Sequence, residues 1–190
     1  MESEPRRPWI RIDRDLVIAL TSLVVAVSAV AVSVSQTRLM QRQAEAGVWP
    51  RLVLDMTQAN DSLDVRVRNA GVGPAQIRWG QLRWRDTPVP AVTTILDSVP
   101  KPTTGLKARS FWSASLTGNI VSPTGAAVIA AVSGTIAPVL MQAVDEVGLR
   151  VCYCSIYEQC WLYSVERLGR DAVERTAPAA SCEPRAAVTF

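Results

Sequence analysis

Residues 16–34 read LVIALTSLVVAVSAVAVSV, without a charge, a proline or a glycine, and only Thr21, Ser22, Ser28 and Ser33 interrupt the apolar run. At about 1.5 Å of rise per residue such a run spans about 28 Å, close to the roughly 30 Å hydrocarbon core of a bilayer. The pattern predicts a transmembrane helix. Two other readings of the same residues stay open. A cleaved signal peptide would use Ala29-Val30-Ala31 as its small-residue site, although the apolar run continues through Val32 and Val34. A buried core helix would need a polar face that this run lacks. After residue 34 the pattern becomes polar and helical, SQTRLMQRQAEAG, with Gly47 placed to end it. Residues 35–47 therefore predict a juxtamembrane helix. Its thin stripe of Leu39, Met40, Ala44 and Val48 suits packing on a domain or pairing of two copies.

From Trp49 the period changes to two. Leu52, Leu54 and Met56 alternate with Val53, Asp55 and Thr57, and Leu63, Val65 and Val67 with Asp64, Arg66 and Arg68, around a turn at residues 59–62. This predicts a hairpin with one buried and one wet face. The stretch Asn69-Ala70-Gly71-Val72-Gly73-Pro74 has the residue types of a bend with positive φ. A strand over residues 75–85 follows. Ile77 and Trp79 share one phase and Leu82 and Trp84 the other, which points to a bulge at Gly80. Residues 86–88 predict a turn. Residues 90–99 predict a short helix burying Val92, Ile95, Leu96 and Val99. A loop over 100–107, a strand over 111–116 and a turn over 122–125 come next. Residues 125–144 carry no charge, so a second span has to be weighed. Their Ala, Gly, Ser and Thr content and Pro138 favour a buried strand, 126–132, then a helix near 136–147 with Ile136, Val139, Leu140, Ala143, Val144 and Val147 inward. A hairpin over 148–166 and a polar tail close the chain.

The succession of strand, hairpin and RVRNAGVGPAQI resembles bacterial immunoglobulin-like adhesion and accessory domains of the CARDB type, in which a V-x-N-x-G-x-G-x-A stretch joins two sandwich strands. The chain is also similar to uncharacterised single-pass bacterial envelope proteins that join such an anchor to a late CYCS-x-Y-x-x-CW stretch. The resemblance implies an immunoglobulin-like β-sandwich with one or two short helices, and it brings no activity with it. The expected organisation is a tail (1–15), a transmembrane helix (16–34), a juxtamembrane helix (35–47), a β-sandwich-like domain (48–168) and a C-terminal tail (169–190).

Charge adds the orientation. Arg6, Arg7, Arg11 and Arg14 precede the span, against Arg38, Arg42 and Arg51 after it, and Trp9 and Ile10 sit where an interfacial aromatic belongs. The bias predicts a cytoplasmic N-terminus and a periplasmic domain at a bacterial inner membrane. A net charge of +3 gives no argument for nucleic acid. The chain has no histidine, which removes the commonest general base and most zinc enzymes.

Four cysteines remain. Cys152 and Cys154, two apart on a strand, point to one face and are poorly placed to bond each other. A loop over 155–159 sets Cys154 opposite Cys160 on that face, leaving Cys152 for Cys182. Structural disulfides Cys154–Cys160 and Cys152–Cys182 are the expectation. A four-thiolate zinc site, a redox-active C-x-C and free buried thiols are the alternatives. No nucleophile–base pair emerges. Ser113, Ser115 and Ser155 lack a histidine, Lys101 and Lys107 form no S-x-x-K, and Asp145-Glu146 reads as solvated. Asp55, Asp61 and Asp64 read as turn and strand residues rather than calcium ligands. Trp79, Trp84, Trp112 and Trp161 read as core and hairpin packing rather than a sugar or partner surface.

The sequence thus points to a membrane-anchored periplasmic interaction or structural module without catalysis, cofactor or metal. Its partners would be the lipid bilayer, an envelope protein and a second copy in a homodimer. One rival is a thiol-redox or other enzyme accessory using Cys152 and Cys154. Another is a subunit of a larger membrane complex, contacted through Ala26, Ala29, Val30 and Ser33.

Overall fold

The computed structural model describes residues 13–99, 108–169 and 171–183, so the expected loop at 100–107, with Lys101 and Lys107, and the first twelve residues, with Trp9 and Ile10, lie outside it. The chain divides into two units, Met1–Ala44 and Glu45–Phe190.

The first unit is built on α1 (Arg14–Ala46), one uninterrupted helix with no buried residue. Among the described residues it is the helix long and apolar enough to cross a membrane. Three of the hydroxyls in its apolar run are turned onto its own backbone. Thr21 donates to the Val17 carbonyl at 3.0 Å, Ser22 to Ala19 at 2.9 Å, and Ser28 to Val24 at 2.8 Å. Polar groups inside a lipid-facing helix need such internal partners, because hydrocarbon supplies none.

The second unit is mostly β. Among the described residues its strands form two sheets. β1 (Leu52–Ala59) and β2 (Ser62–Asn69) make the expected hairpin, closed by Asn60 and Asp61 between the paired residues Ala59 and Ser62. Along β2 the inward positions Leu63, Val65 and Val67 are buried, as the alternation requires. β3 (Ala75–Trp84) and β4 (Thr87–Val89) make a second hairpin through Arg85 and Asp86, both at positive φ (46° and 66°). That is the turn whose twist matches antiparallel strands. The expected turn at 86–88 therefore falls one residue early. Thr87 and Pro88 are strand residues, and proline is tolerated there because β4 ends its sheet. The bulge in β3 lies between Ile77 and Trp79, not at Gly80. It throws Arg78 outward, where its guanidinium contacts the Glu158 carboxylate at 2.6 Å.

α2 (Val92–Ser98) buries Val92 and Ile95, with Val99 just beyond it. β5 (Ala108–Ser113), β6 (Ile120–Val121) and β7 (Ala126–Gly134) follow. The uncharged stretch is thus not a second span. It divides into β7 and α3 (Ala137–Ala143), which has a proline in its first turn, and a short 3-10 turn at Val144–Glu146. The helix stops earlier than expected, since Val147 opens β8 (Val147–Cys154), which pairs with β9 (Cys160–Val165). The expected polar tail is corrected as well. β10 (Glu174–Ala179) pairs along β9, from Glu174 opposite Val165 to Ala179 opposite Cys160. No alternation announces it because it is a solvent-facing edge strand, where Pro178 is tolerated. The final Val188-Thr189-Phe190 lies outside the described residues.

The sheets run β1-β2-β7-β5 and β10-β9-β8-β3-β4, with β6 added to β3. Leu52, Leu63, Val65 and Val67 of the first sheet share one buried cluster with Ile77, Leu82, Leu149, Val151, Tyr153 and Tyr163 of the second. This is a two-sheet sandwich with α2 and α3 at its margin. The bend after β2 is held differently from the expectation. The positive-φ glycines among the described residues are Gly118 and Gly134, not Gly71 or Gly73. Those two are required by proximity: a Cβ on Gly71 would lie 2.3 Å from the Trp49 carbonyl oxygen, and one on Gly73 1.8 Å from that of Val48.

Candidate functional site

The β8 sequence Val151-Cys152-Tyr153-Cys154 divides its residues by face. Val151 and Tyr153 point into the sandwich, whereas Cys152 and Cys154 join Cys160 and Cys182 in a separate buried cluster with Trp79, Leu162 and Ala179. Ladder pairing places these groups in two rows. Cys152 stands opposite Trp79 on one side and Leu162 on the other, and Cys160 stands opposite Cys154 and Ala179. Cys152 is bonded to Cys182 and Cys154 to Cys160, with Cα separations of 5.6 and 4.0 Å. A bonded sulfur offers no thiolate to zinc.

A groove of about 610 Å³ lies beside Trp49, Arg51, Val72, Tyr153, Trp161 and Glu174. Its aromatic wall is continuous, with Trp49 and Trp161 ring centroids 6.2 Å apart and Trp161 and Tyr153 5.7 Å apart. Trp49 and Val72 are exposed on its rim. The groove follows the seam between edge strands β1 and β10. Arg51 turns its carbonyl to the Ala70 amide, so antiparallel alternation turns the Leu54 amide outward. That amide donates to a Glu174 carboxylate oxygen at 3.3 Å, and the same oxygen accepts the Tyr163 hydroxyl at 2.9 Å. Glu174 thereby occupies the edge of β1, one way a sheet edge is closed to further strands. Sequence reasoning missed both Trp49 and Glu174. Trp49 lies outside the strand alternation, and Glu174 lies in a segment that reads as tail.

Burial pushes the Tyr153 phenol above its ordinary range, with the Leu52 backbone and Arg51 pulling weakly the other way. Burial, then the Glu174 carboxylate, pushes Tyr163 further up. Both hydroxyls are neutral at physiological pH. The Leu52 backbone lies near the Tyr153 hydroxyl, but no group among the described residues meets that buried oxygen in hydrogen-bond geometry. An unpaired buried hydroxyl costs about 1–3 kcal/mol. Tyr153→Phe is therefore expected to leave the melting temperature unchanged or raise it by a few degrees. A fall of several degrees would mean that the hydroxyl is satisfied.

The remaining expected residues are not brought together. Asp64 pairs with Arg66, and Asp55 with Arg68 at 3.7 Å, so these acids serve strand-surface ion pairs rather than a calcium site. Glu146 pairs with Arg85, whose hydrogen bond holds the carboxyl below its usual range. The Ser115 and Ser155 hydroxyls accept backbone amides of Thr117 and Tyr157 at 3.2 Å in local turns. Trp79, Trp84 and Trp161 are half-buried, and Arg85 lies 5.3 Å over the Trp84 ring. Trp112 departs from the packing expectation, standing 53% exposed on β5.

Fold and site together define a β-sandwich module that follows a long apolar helix and whose four cysteines are consumed in two disulfides. The chain belongs to the family described as "Domain of unknown function (DUF8453)", which matches residues 16–122. The match opens at the first residue of the apolar run and closes after β6, leaving the cysteine hairpin outside it. Neither a curated protein nor a solved structure matches the chain.

Proposed function

We propose that this protein is a single-pass inner-membrane module of a bacterial envelope, with its N-terminus in the cytoplasm and its β domain in the periplasm, acting by binding rather than catalysis. The observation that carries the reading is α1, apolar around its whole circumference over residues 16–34, unburied, and with the Thr21, Ser22 and Ser28 hydroxyls satisfied within the helix. The arginines before the span support the orientation. The two disulfides favour an oxidising compartment. The absence of histidine, and serine hydroxyls engaged in turns, favour binding over chemistry. The contact surface is the groove at Trp49, because exposed aromatics beside a groove anchor protein partners.

A photo-crosslinking amino acid placed at Trp49 and, separately, at Trp112 tests this in native membranes. Adducts from position 49 and none from position 112 are expected. Equal labelling from both, or labelling from position 112 alone, would remove the groove from the account.

A further inference from the structure

The two disulfides are neighbours. The sulfurs of Cys154, Cys160 and Cys182 all lie within 4.8 Å of one another, although Cys182 is bonded to Cys152 and not to either of the others. Thiol–disulfide exchange needs only a thiolate within reach of a disulfide sulfur and a leaving thiolate. Both bonds sit in one buried cluster walled by Trp79 and Leu162, so no chain movement has to bring them together. Within its bond Cys160 is the more exposed cysteine, at 9% against 1% for Cys154; Cys182, at 8%, is nearly as open as Cys160. It follows a turn whose Ile156 and Tyr157 are exposed. Cys152, at the inner end, faces Trp79 across the ladder. The Trp79 indole N–H is buried and has no acceptor among the described residues. It is an available donor for a thiolate released in that cluster.

We propose that the four cysteines form an intramolecular redox relay, in which electrons entering at the Cys154–Cys160 bond pass to the Cys152–Cys182 bond. A protein or small-molecule dithiol is the reductant. Its thiolate attacks Cys160, and its second thiol resolves the mixed disulfide, so the donor leaves oxidised and Cys154 and Cys160 become thiols. The Cys154 thiolate then attacks the Cys182 sulfur, forming a Cys154–Cys182 bond and expelling Cys152 as thiolate. The Cys160 thiolate attacks Cys154, restoring Cys154–Cys160 and expelling Cys182. Two electrons have moved from one pair to the other, and the bond tying the C-terminal segment to β8 is open. This activity is independent of the groove and of the partner it binds.

The test uses the full-length protein. A Cys160→Ser variant leaves the Cys154 thiol beside Cys182. It is incubated at pH 8.5, denatured, alkylated and mapped without reduction. The relay predicts that the free thiol divides between Cys154 and Cys152, with at least about a tenth at Cys152 and matching Cys154–Cys182 peptide. A free thiol confined to Cys154 at every time would overturn it. The wild-type protein supplies an independent arm should that variant not fold. A brief pulse of dithiothreitol, rapid removal and trapping at increasing delays should first label Cys154 and Cys160, then Cys152 and Cys182. A label that stays on the first pair would overturn the relay. Trp79→Phe should slow the transfer several-fold while leaving the first labelling unchanged. An unchanged transfer rate would remove the indole from the relay.

Discussion

Replacing Asn69 with alanine is expected to cost the β domain about 4 kcal/mol, a large share of the roughly 5–15 kcal/mol such a domain holds. Asn69 is fully buried at the end of β2. Its Oδ1 accepts the Arg51 amide at 3.1 Å and the Gly71 amide at 2.9 Å, and its Nδ2 donates to the Gly73 carbonyl at 2.7 Å and the Val121 carbonyl at 3.0 Å. One side chain thus satisfies four backbone groups from the start of β1, the bend and β6. Alanine leaves all four without that partner, at about 1 kcal/mol each. At roughly 3 °C per kcal/mol the melting temperature should fall by about 12 °C. Asn69→Asp should be worse at neutral pH, since a carboxylate faces two carbonyl oxygens it cannot donate to. Those oxygens raise the folded-state pKa of the new acid above its unfolded value of about 3.9. Part of the stability is then present at low pH and lost as pH rises through the folded pKa. Thermal melts of both variants between pH 4 and 8 check the size and the sign. A deficit that does not shrink on acidification would refute the donor role of Nδ2.

Removing the longer disulfide should cost more than removing the shorter one. Cys152 and Cys182 are separated by 30 residues, Cys154 and Cys160 by 6. Chain-entropy reasoning on these separations gives about 3.6 kcal/mol for the first loop and about 2.2 kcal/mol for the second. The double variant Cys152→Ser/Cys182→Ser should then melt about 11 °C below wild type, and Cys154→Ser/Cys160→Ser about 7 °C below. Paired replacement leaves no free thiol and only one bond, so exchange cannot blur the comparison. The first variant should also be cut faster by protease near residue 180, since it frees the segment that follows β10. An equal or reversed order of melting temperatures would show that the cost is set by local packing rather than by loop length.

Much of the β domain was legible because its alternation is strict where one face is buried. Leu63, Val65 and Val67 announce β2, and the spacing of Cys154 and Cys160 announces the register of β8 against β9. The signal fails where burial does not govern. β10 is exposed along its length, so no periodicity marks Glu174, the residue that closes the β1 edge. The bulge falls at Arg78 because an outward arginine reaches Glu158, a contact with no local trace in the chain. Gly71 and Gly73 look like bend glycines in the chain, but the reason for them is the approach of residues 48–51, visible only once β1 is in place. Of the groove, Trp161 could be found as one of several tryptophans. Trp49 lies beside it only because the two sheets pack face to face, which brings the start of β1 near β9.

We propose that one helix holds this disulfide-bonded domain on the oxidising side of the membrane. The most direct test of this is a pair of reporters fused after Phe190, alkaline phosphatase in one strain and a cytoplasm-dependent fluorescent protein in the other. The account predicts an active phosphatase and a dark fluorescent protein. An inactive phosphatase with a bright fluorescent protein would place the domain in the cytoplasm and contradict the account.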